Sequence, residues 1–318
     1  MEAVKATAEK ICRFEVQGAR NTAIAAVKTL QMLAQQSEAK NKIEFLTNLS
    51  QAQQLLFNTR ETEPLMRNAL HYIIDQVQQS SIQNVHELCT LLVVGADKFL
   101  SELDASREHT AEIGAKHIQN GITIFTHCHS STATRMLTKA KQDGKNFRVI
   151  CTETRPAFQG RITAREMIEN GIETTFIVDS AAQTFIPKAD LVIVGADAIT
   201  HEGNVVNKIG TSGLAILAYE ARKPFYVVSE LLKFDPITSY NALEGIEQRN
   251  PAEVWKESPK ELDVRNPAFD VTPSRYIHGL ICEKGIIPLK NMPEIMQQFY
   301  PWLYKQSSPN LHVNQKTP

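Results

Sequence analysis

The chain reads Gly121-Ile-Thr-Ile-Phe-Thr-His-Cys-His-Ser-Ser131 across the segment that decides its fold. A short run rich in β-branched and aromatic residues ends there in polar residues, and apolar residues then recur at helical spacing from Ala133 to Ala140. A buried strand that leads into a helix is the repeating unit of parallel sheets. The segment therefore places Cys128 between the end of a strand and the start of a helix.

The same alternation of strand and helix continues toward the C-terminus. Strands are predicted at 121–127, 147–152, 174–179, 190–196 and 224–229, with helical stretches between them. Strands that are almost continuously apolar indicate a parallel sheet covered on both faces. A later pair, Phe269–Thr272 and Tyr276–Cys282, would extend this sheet. We predict a Rossmann-like α/β domain over residues 119–305, followed by a flexible tail at 306–318.

The first part of the chain, residues 1–118, has a helical pattern instead. A broad apolar stripe follows Pro64, which is a favoured residue at a helix start. The stripe comprises Leu65, Met66, Ala69, Leu70, Ile73, Ile74 and Val77. We therefore predict an N-terminal helical domain in front of the sheet domain.

Composition excludes several classes of function. The chain has 318 residues, and its 34 Lys and Arg nearly cancel its 35 Asp and Glu. No global charge attracts the protein to nucleic acid or to a membrane surface, and no apolar run approaches transmembrane length. The five cysteines are scattered and form no Cys-x-x-Cys pair, which argues against a disulfide framework or structural zinc and favours a reducing cytoplasm.

Cys128 has two interpretations. A lone cysteine is by default a small buried apolar residue. However, Ser130, Ser131 and Thr132 follow at a helix start, where hydroxyls and free backbone N–H groups bind anions and favour a thiolate. His127 and His129 would point away from Cys128 if the three residues alternate on a strand, so a metal site is not expected.

Asp197 follows the apolar strand that ends at Val194, and ligands of open parallel sheets bind beyond such strand ends. The alternative is a local loop cap. A polar, glycine-bearing stretch at 204–213 then opens the next helix and places Lys208 for contact with a phosphate. No Walker loop and no G-x-G-x-x-G after a strand is present, so no nucleotide cofactor is expected.

Together these stretches resemble one family, the sugar-phosphate isomerases related to the regulatory subunits of eukaryotic initiation factor two-B. The resemblance covers nearly the whole chain. Its segments are Gly18-Ala19, Arg60, Thr126-His-Cys-His-Ser130, Thr152-Glu-Thr-Arg-Pro156, Gln159-Gly160, Gly195-Ala-Asp197, Asn207-Lys-Ile-Gly-Thr211, Lys233-Phe234 and Asn266-Pro-Ala-Phe-Asp-Val-Thr-Pro273.

The resemblance implies catalytic roles for Cys128 and Asp197 without a metal or cofactor. It also implies substrate contacts, which carry over to Gln17, Gly18, Ala19, Arg20, Arg60, Ser130, Ser131, Thr132, Asn207, Lys208 and Lys233. The implied activity turns α-ribose 1,5-bisphosphate into ribulose 1,5-bisphosphate during nucleotide salvage, in a homo-oligomer (a dimer or a hexamer). Two alternatives remain open: isomerisation of methylthioribose 1-phosphate, and a non-enzymatic regulatory subunit.

Two departures from the family pattern lie where phosphate should bind. Gln17 replaces the usual arginine, while Arg20 follows three residues later, and the stretch after Arg60 lacks its early proline.

For the chemistry, we expect a protonated Asp197 as acid and a Cys128 thiolate as base. The cysteine pKa should then fall below about 8.5 and the aspartate pKa should rise above about 3.9. A helix N-terminus and burial would act in those directions.

Overall fold

Helices form the whole first part of the chain. The structure is a computed structural model that describes residues 1–60, 63–237 and 246–304. The helices before the first strand are α1 (Glu2–Cys12), α2 (Ala19–Gln35), α3 (Lys42–Phe57), α4 (Pro64–Gln79) and α5 (Val85–His117). The predicted stripe after Pro64 lies on α4, and all of its members are buried in the core of this helical part.

Strands and helices alternate after α5, and the predicted α/β architecture is confirmed. The strands are β1 (Thr123–Thr126), β2 (Arg148–Thr152), β3 (Glu173–Ile177), β4 (Leu191–Val194), β5 (Ala198–Ile199), β6 (Val205–Lys208), β7 (Phe225–Val228), β8 (Phe269–Thr272), β9 (Gly279–Cys282) and β10 (Gly285–Ile287). The helices are α6 (Ser131–Gln142), α7 (Gly160–Glu169), α8 (Ala182–Phe185), α9 (Thr211–Glu220) and α10 (Met292–Phe299). Apolar side chains cover the main sheet in two separate clusters.

The main sheet has the strand order β10-β9-β7-β4-β1-β2-β3. All neighbouring pairs are parallel except β9 and β10, which are antiparallel. The chain runs outward from β1 to β3 and then returns to place β4 on the other side of β1. This reversal creates a crevice between the loops that follow β1 and β4.

A second, three-stranded antiparallel sheet has the order β5-β6-β8. The prediction that Phe269–Thr272 extends the main sheet is therefore wrong, because this segment pairs with β6 in the small sheet. The strand β6 was hidden from the sequence pattern, since it ends in the polar Asn207 and Lys208. The second predicted segment, Tyr276–Cys282, does extend the main sheet: its strand β9 pairs in parallel with β7.

The helical part and the sheet share the long helix α5. Its first half packs in the core of the helical part through residues such as Leu92 and Phe99, and its last turns pack on the sheet through Ala111 and Ala115.

The predicted tail at 306–318 lies outside the described residues. Among the described helices, none has the length and hydropathy that a membrane crossing needs. The division into two domains at residue 118 stays a prediction.

Candidate active site

The two predicted catalytic side chains lie at the strand-order reversal. Cys128 follows β1 and Asp197 follows β4, and these strands are direct neighbours in the sheet. Gly195 allows the two loops to approach closely, because a Cβ atom there would lie 2.5 Å from Cβ of Ser130. A thiol and a carboxylate from different segments therefore face one crevice.

This crevice opens into a cavity of about 420 Å³ between the sheet and the helical part. Nearly all predicted site residues line it: Gln17, Gly18, Ala19, Arg20, Arg60, Cys128, Ser130, Ser131, Asp197, Asn207, Lys208 and Lys233. Thr132 is the exception. It is buried below the cavity, and its hydroxyl donates a hydrogen bond to Oε1 of Glu230 at 3.2 Å.

The loop that carries Cys128 is held by two threonines. Cys128 has a φ of 66°, in the left-handed region that few residues other than glycine adopt. Its backbone N–H donates to Oγ1 of Thr154 at 2.9 Å, and its carbonyl oxygen accepts from Oγ1 of Thr163 at 2.8 Å. These bonds offset the unfavourable backbone conformation and fix the position of the sulfur.

Burial raises the pKa of the Cys128 thiol to about 12. The positive charge of Lys208 acts in the opposite direction, while the carboxylate of Asp197 adds to the increase. The expectation of a pKa below about 8.5 is therefore wrong for the unliganded site, because desolvation of the thiolate outweighs the favourable charges. Burial therefore favours the neutral thiol at physiological pH.

The two histidines beside Cys128 differ in role. His127 is buried, with Nε2 at 3.0 Å from the carbonyl oxygen of Ile209 and Nδ1 at 2.6 Å from Oγ1 of Thr152. Since a carbonyl only accepts, Nε2 carries the proton, and burial lowers the pKa of His127. His129 lines the cavity beside Cys128, contrary to the expected alternation, because β1 already ends at Thr126. In the described ranges, no group of three or more His, Cys, Asp or Glu is placed to hold a metal.

Asp197 and Lys208 are the charged groups left for a ligand. Asp197 is half-buried, and no described residue donates a hydrogen bond to its carboxylate. Lys208 is only 5% exposed, and in the part of the chain that the structure describes its Nζ has no ion pair. The ammonium instead lies 5.2 Å from the ring centroid of Phe269. A buried, unpaired cation beside a thiol and a carboxylate fits an anionic ligand.

Other cations of the cavity are paired with carboxylates. The buried Glu230 accepts from Nη1 of Arg20 at 3.1 Å and lies 3.6 Å from Nζ of Lys233. Arg60 lies 2.8 Å from Oε1 of Glu63 and 3.5 Å from Oε2 of Glu247. The residues that are predicted to bind phosphate are therefore held in place by carboxylates before a ligand binds. The same carboxylates neutralise part of their positive charge.

Helix starts contribute differently from the prediction. The start of α9 is occupied, because Asp270 accepts hydrogen bonds from the N–H groups of Gly210 at 2.7 Å and Ser212 at 3.1 Å. The start of α6 borders the cavity at Ser130 and Ser131, as expected. The start of α2 does so as well: its N-cap Gly18 has a φ of 83° and provides no side-chain cap. The helix starts that border the cavity are thus those of α6 and α2.

Sequence reasoning missed two charged residues of this site. Glu63 is fully buried, and burial raises its pKa to about 7, with a further contribution from Asp197. Arg249 lines the cavity with its guanidinium 3.7 Å from the ring centroid of Phe14. Glu63 resembles an ordinary acidic residue at a helix start, and Arg249 belongs to a segment without a strand or helix pattern. Neither had a local signal.

Similarity to known proteins agrees with this geometry. Residues 15–289 match the model of the Initiation factor 2 subunit family. Ribose 1,5-bisphosphate isomerase of Thermococcus kodakarensis is 40% identical over 309 residues, which cover 95% of this chain and 96% of that protein. Among solved structures, 5-methylthioribose 1-phosphate isomerase of Pyrococcus horikoshii OT3 has a TM-score of 0.79 at 32% identity, covering 93% of this chain and 88% of that one. The translation initiation factor eIF-2B of the same organism has a TM-score of 0.80 at 30% identity, covering 91% and 98%.

The raised pKa of Cys128 can be measured by thiolate absorbance near 240 nm. Subtracting the pH titration of Cys128→Ser from that of the unsubstituted protein isolates this thiol. We expect it to ionise well above pH 9 in the unliganded protein, and at still higher pH after Lys208→Met, which removes the nearest cation. A midpoint below pH 8.5 would show that the helix start dominates over burial.

Proposed function

Because this chain belongs to the Initiation factor 2 subunit family, we propose that it converts α-ribose 1,5-bisphosphate into ribulose 1,5-bisphosphate. The chain is an enzyme, an isomerase of this family. The observation that carries the proposal is the pairing of Cys128 and Asp197 across one crevice, with the unpaired Lys208 beside them. This arrangement offers two proton-transfer groups and a cation at one end of a cavity.

The first step of the proposed reaction opens the sugar ring. The anomeric carbon C1 carries a phosphate, so the ring oxygen must leave C1 before hydrogen can move from C2 to C1. Asp197 in its protonated form donates to the ring oxygen. Its carboxylate then takes the proton of the C2 hydroxyl as the ketone forms, which restores the acid. The free carboxylate in the crevice suits both transfers.

Two routes then move the hydrogen from C2 to C1. In proton transfer, a Cys128 thiolate takes the C2 proton and leaves a phosphoenolate, and the thiol exchanges this proton with solvent before it protonates C1. In a hydride shift, the hydrogen migrates directly with its electron pair, and the thiol stays neutral and contacts the substrate at C2. The pKa of Cys128, raised by burial, supports the hydride shift. Lys208 supports proton transfer, because its charge favours the thiolate.

The charges of the cavity support a bisphosphate. Arg20 and Lys233 meet at Glu230 and form one pair of cations. Arg60, Lys208 and Arg249 form a second group around Phe14 and Phe269. One set of cations at Glu230 and one set beside the two phenylalanine rings fit two phosphates. Methylthioribose 1-phosphate, the substrate in the alternative reading, carries a thioether in place of the second phosphate and would leave Arg20 and Lys233 with their carboxylate partners but without a phosphate.

Two finer points rest on the family resemblance. We propose that the reaction serves the salvage of nucleotides such as AMP in the cytoplasm, and that the enzyme is a homo-oligomer, either a dimer or a hexamer. The non-enzymatic alternative is the weaker one, because the chain shares 40% identity with an isomerase across nearly its full length. It also retains both the thiol and the carboxylate, which a purely regulatory subunit would not need.

Removing either catalytic group should stop the reaction. We expect Asp197→Asn to lower kcat by roughly a hundredfold to ten-thousandfold, the usual contribution of a general acid or base. Cys128→Ser should also lower kcat, because the thiol acts on the substrate in both routes. Cys89→Ser and Asp143→Asn, outside the cavity, are the matched controls and should keep full activity. Circular dichroism would confirm that all four variants fold. Near-normal turnover in either site variant would refute the assignment.

An isotope experiment separates the two hydrogen-transfer routes. With unlabelled substrate in deuterium oxide, a hydride shift gives ribulose 1,5-bisphosphate without deuterium at C1, because the migrating hydrogen never meets solvent. Since the thiol of the unliganded site is neutral, we expect this result by NMR of the C1 protons early in the reaction. Deuterium at C1 in the first turnovers would instead establish proton transfer through Cys128.

A further inference from the structure

Arg249 is fixed in the cavity wall by a carboxylate on one side and an aromatic ring on the other. Its Nε and Nη2 donate to the two carboxylate oxygens of Glu253 at 2.8 Å and 2.7 Å. Glu253 is itself held by the side-chain amide of Asn266 at 3.2 Å. The guanidinium lies over the Phe14 ring, 3.7 Å from its centroid. Because the guanidinium of Arg249 is planar and is held along one edge and over one face, its remaining N–H groups point in a defined direction.

Those remaining donors are available to a ligand. Both bonds to Glu253 use one edge of the guanidinium, and among the described residues Nη1 of Arg249 has no hydrogen-bond partner. Because Arg249 lines the cavity, Nη1 can donate to an anion there without giving up Glu253. Arginine is well suited to bind phosphate when, as here, a carboxylate pair and stacking on a ring fix the orientation of its guanidinium.

Arg249 is connected to Lys208 through a chain of aromatic contacts. Phe14 is shared by Arg249 and Arg60, whose guanidinium carbon lies 5.2 Å from the ring centroid. Phe269 is shared by Arg60 at 5.7 Å and Lys208 at 5.2 Å. Cations beside the faces of the same rings stay close together despite their repulsion. Three positive groups therefore gather in one wall, and Lys208 has no carboxylate partner among the described residues.

We propose that Arg249 binds the phosphate on C1 of the substrate, together with Lys208 and Arg60. Ile209, the residue after Lys208, accepts a hydrogen bond from Nε2 of His127 at 3.0 Å, which places Lys208 beside the loop of Cys128, so an anion at Lys208 lies close to the reacting carbons. Arg20 and Lys233 remain for the phosphate on C5. Glu253 is a positioning residue that orients Arg249. This assignment rests on the proposed function for the identity of the sugar, and not for the presence of an anion site.

Binding of α-ribose 1-phosphate, which carries only the C1 phosphate, tests the proposal by calorimetry. We expect Arg249→Met to weaken its binding roughly tenfold to a hundredfold, as for the loss of hydrogen bonds to a charged group. Lys233→Met should weaken binding of the bisphosphate more than binding of α-ribose 1-phosphate. Arg265→Met is the control, because Arg265 is exposed and pairs with Asp263. Arg249→Lys keeps the charge and should bind with intermediate affinity.

The outcomes separate this inference from the proposed function. Unchanged affinity of Arg249→Met for α-ribose 1-phosphate would overturn it, and so would an equal loss in Arg249→Met and Lys233→Met. Thermal unfolding identifies a variant that does not fold, in which case Arg249→Lys and Glu253→Gln decide: normal binding in both would also overturn the proposal. If the unsubstituted protein binds α-ribose 1-phosphate but does not isomerise the bisphosphate, the proposed function fails while Arg249 keeps its role.

Discussion

The reversal of strand order between β1 and β4 is the constraint on which the site depends. The connection after β1 leads toward β2, whereas the connection after β4 leads toward β7 on the other side, so the two connections diverge and leave a crevice between them. Cys128 and Asp197 lie 69 positions apart in the sequence and meet only because of this topology. Close approach of the two loops further requires Gly195, where a Cβ would collide with Ser130.

Electrostatics within the crevice are governed by burial. Desolvation keeps the Cys128 thiol protonated and raises the pKa of Glu63 to about 7, so that near neutral pH Glu63 balances Arg60 only in part. Most cations of the cavity are balanced by a carboxylate, whereas Lys208 has no carboxylate partner among the described residues. The site thus has a preformed set of cations, and a phosphate at Lys208 completes the charge balance. Such preorganisation reduces the entropy lost when the ligand binds.

The sequence revealed what depends on local patterns. The stripe on α4, the parallel strands and the positions of Cys128 and Asp197 at strand ends follow from periodicity and from the geometry of parallel sheets. Contacts between distant segments were hidden. Asp270 caps a helix start 60 residues away, and Arg249 reaches the cavity from a segment without regular structure. The pKa of Cys128 was misjudged because a helix start is visible in a sequence, while the extent of burial is not.

A competition between two substrates tests whether the cavity selects a bisphosphate. Purified protein would receive equal concentrations of α-ribose 1,5-bisphosphate and methylthioribose 1-phosphate, and phosphorus NMR would follow both. Because the cavity holds two groups of cations, we expect ribulose 1,5-bisphosphate to form first and the methylthioribose compound to persist. Preferential use of methylthioribose 1-phosphate, or no turnover of either sugar, would contradict the account.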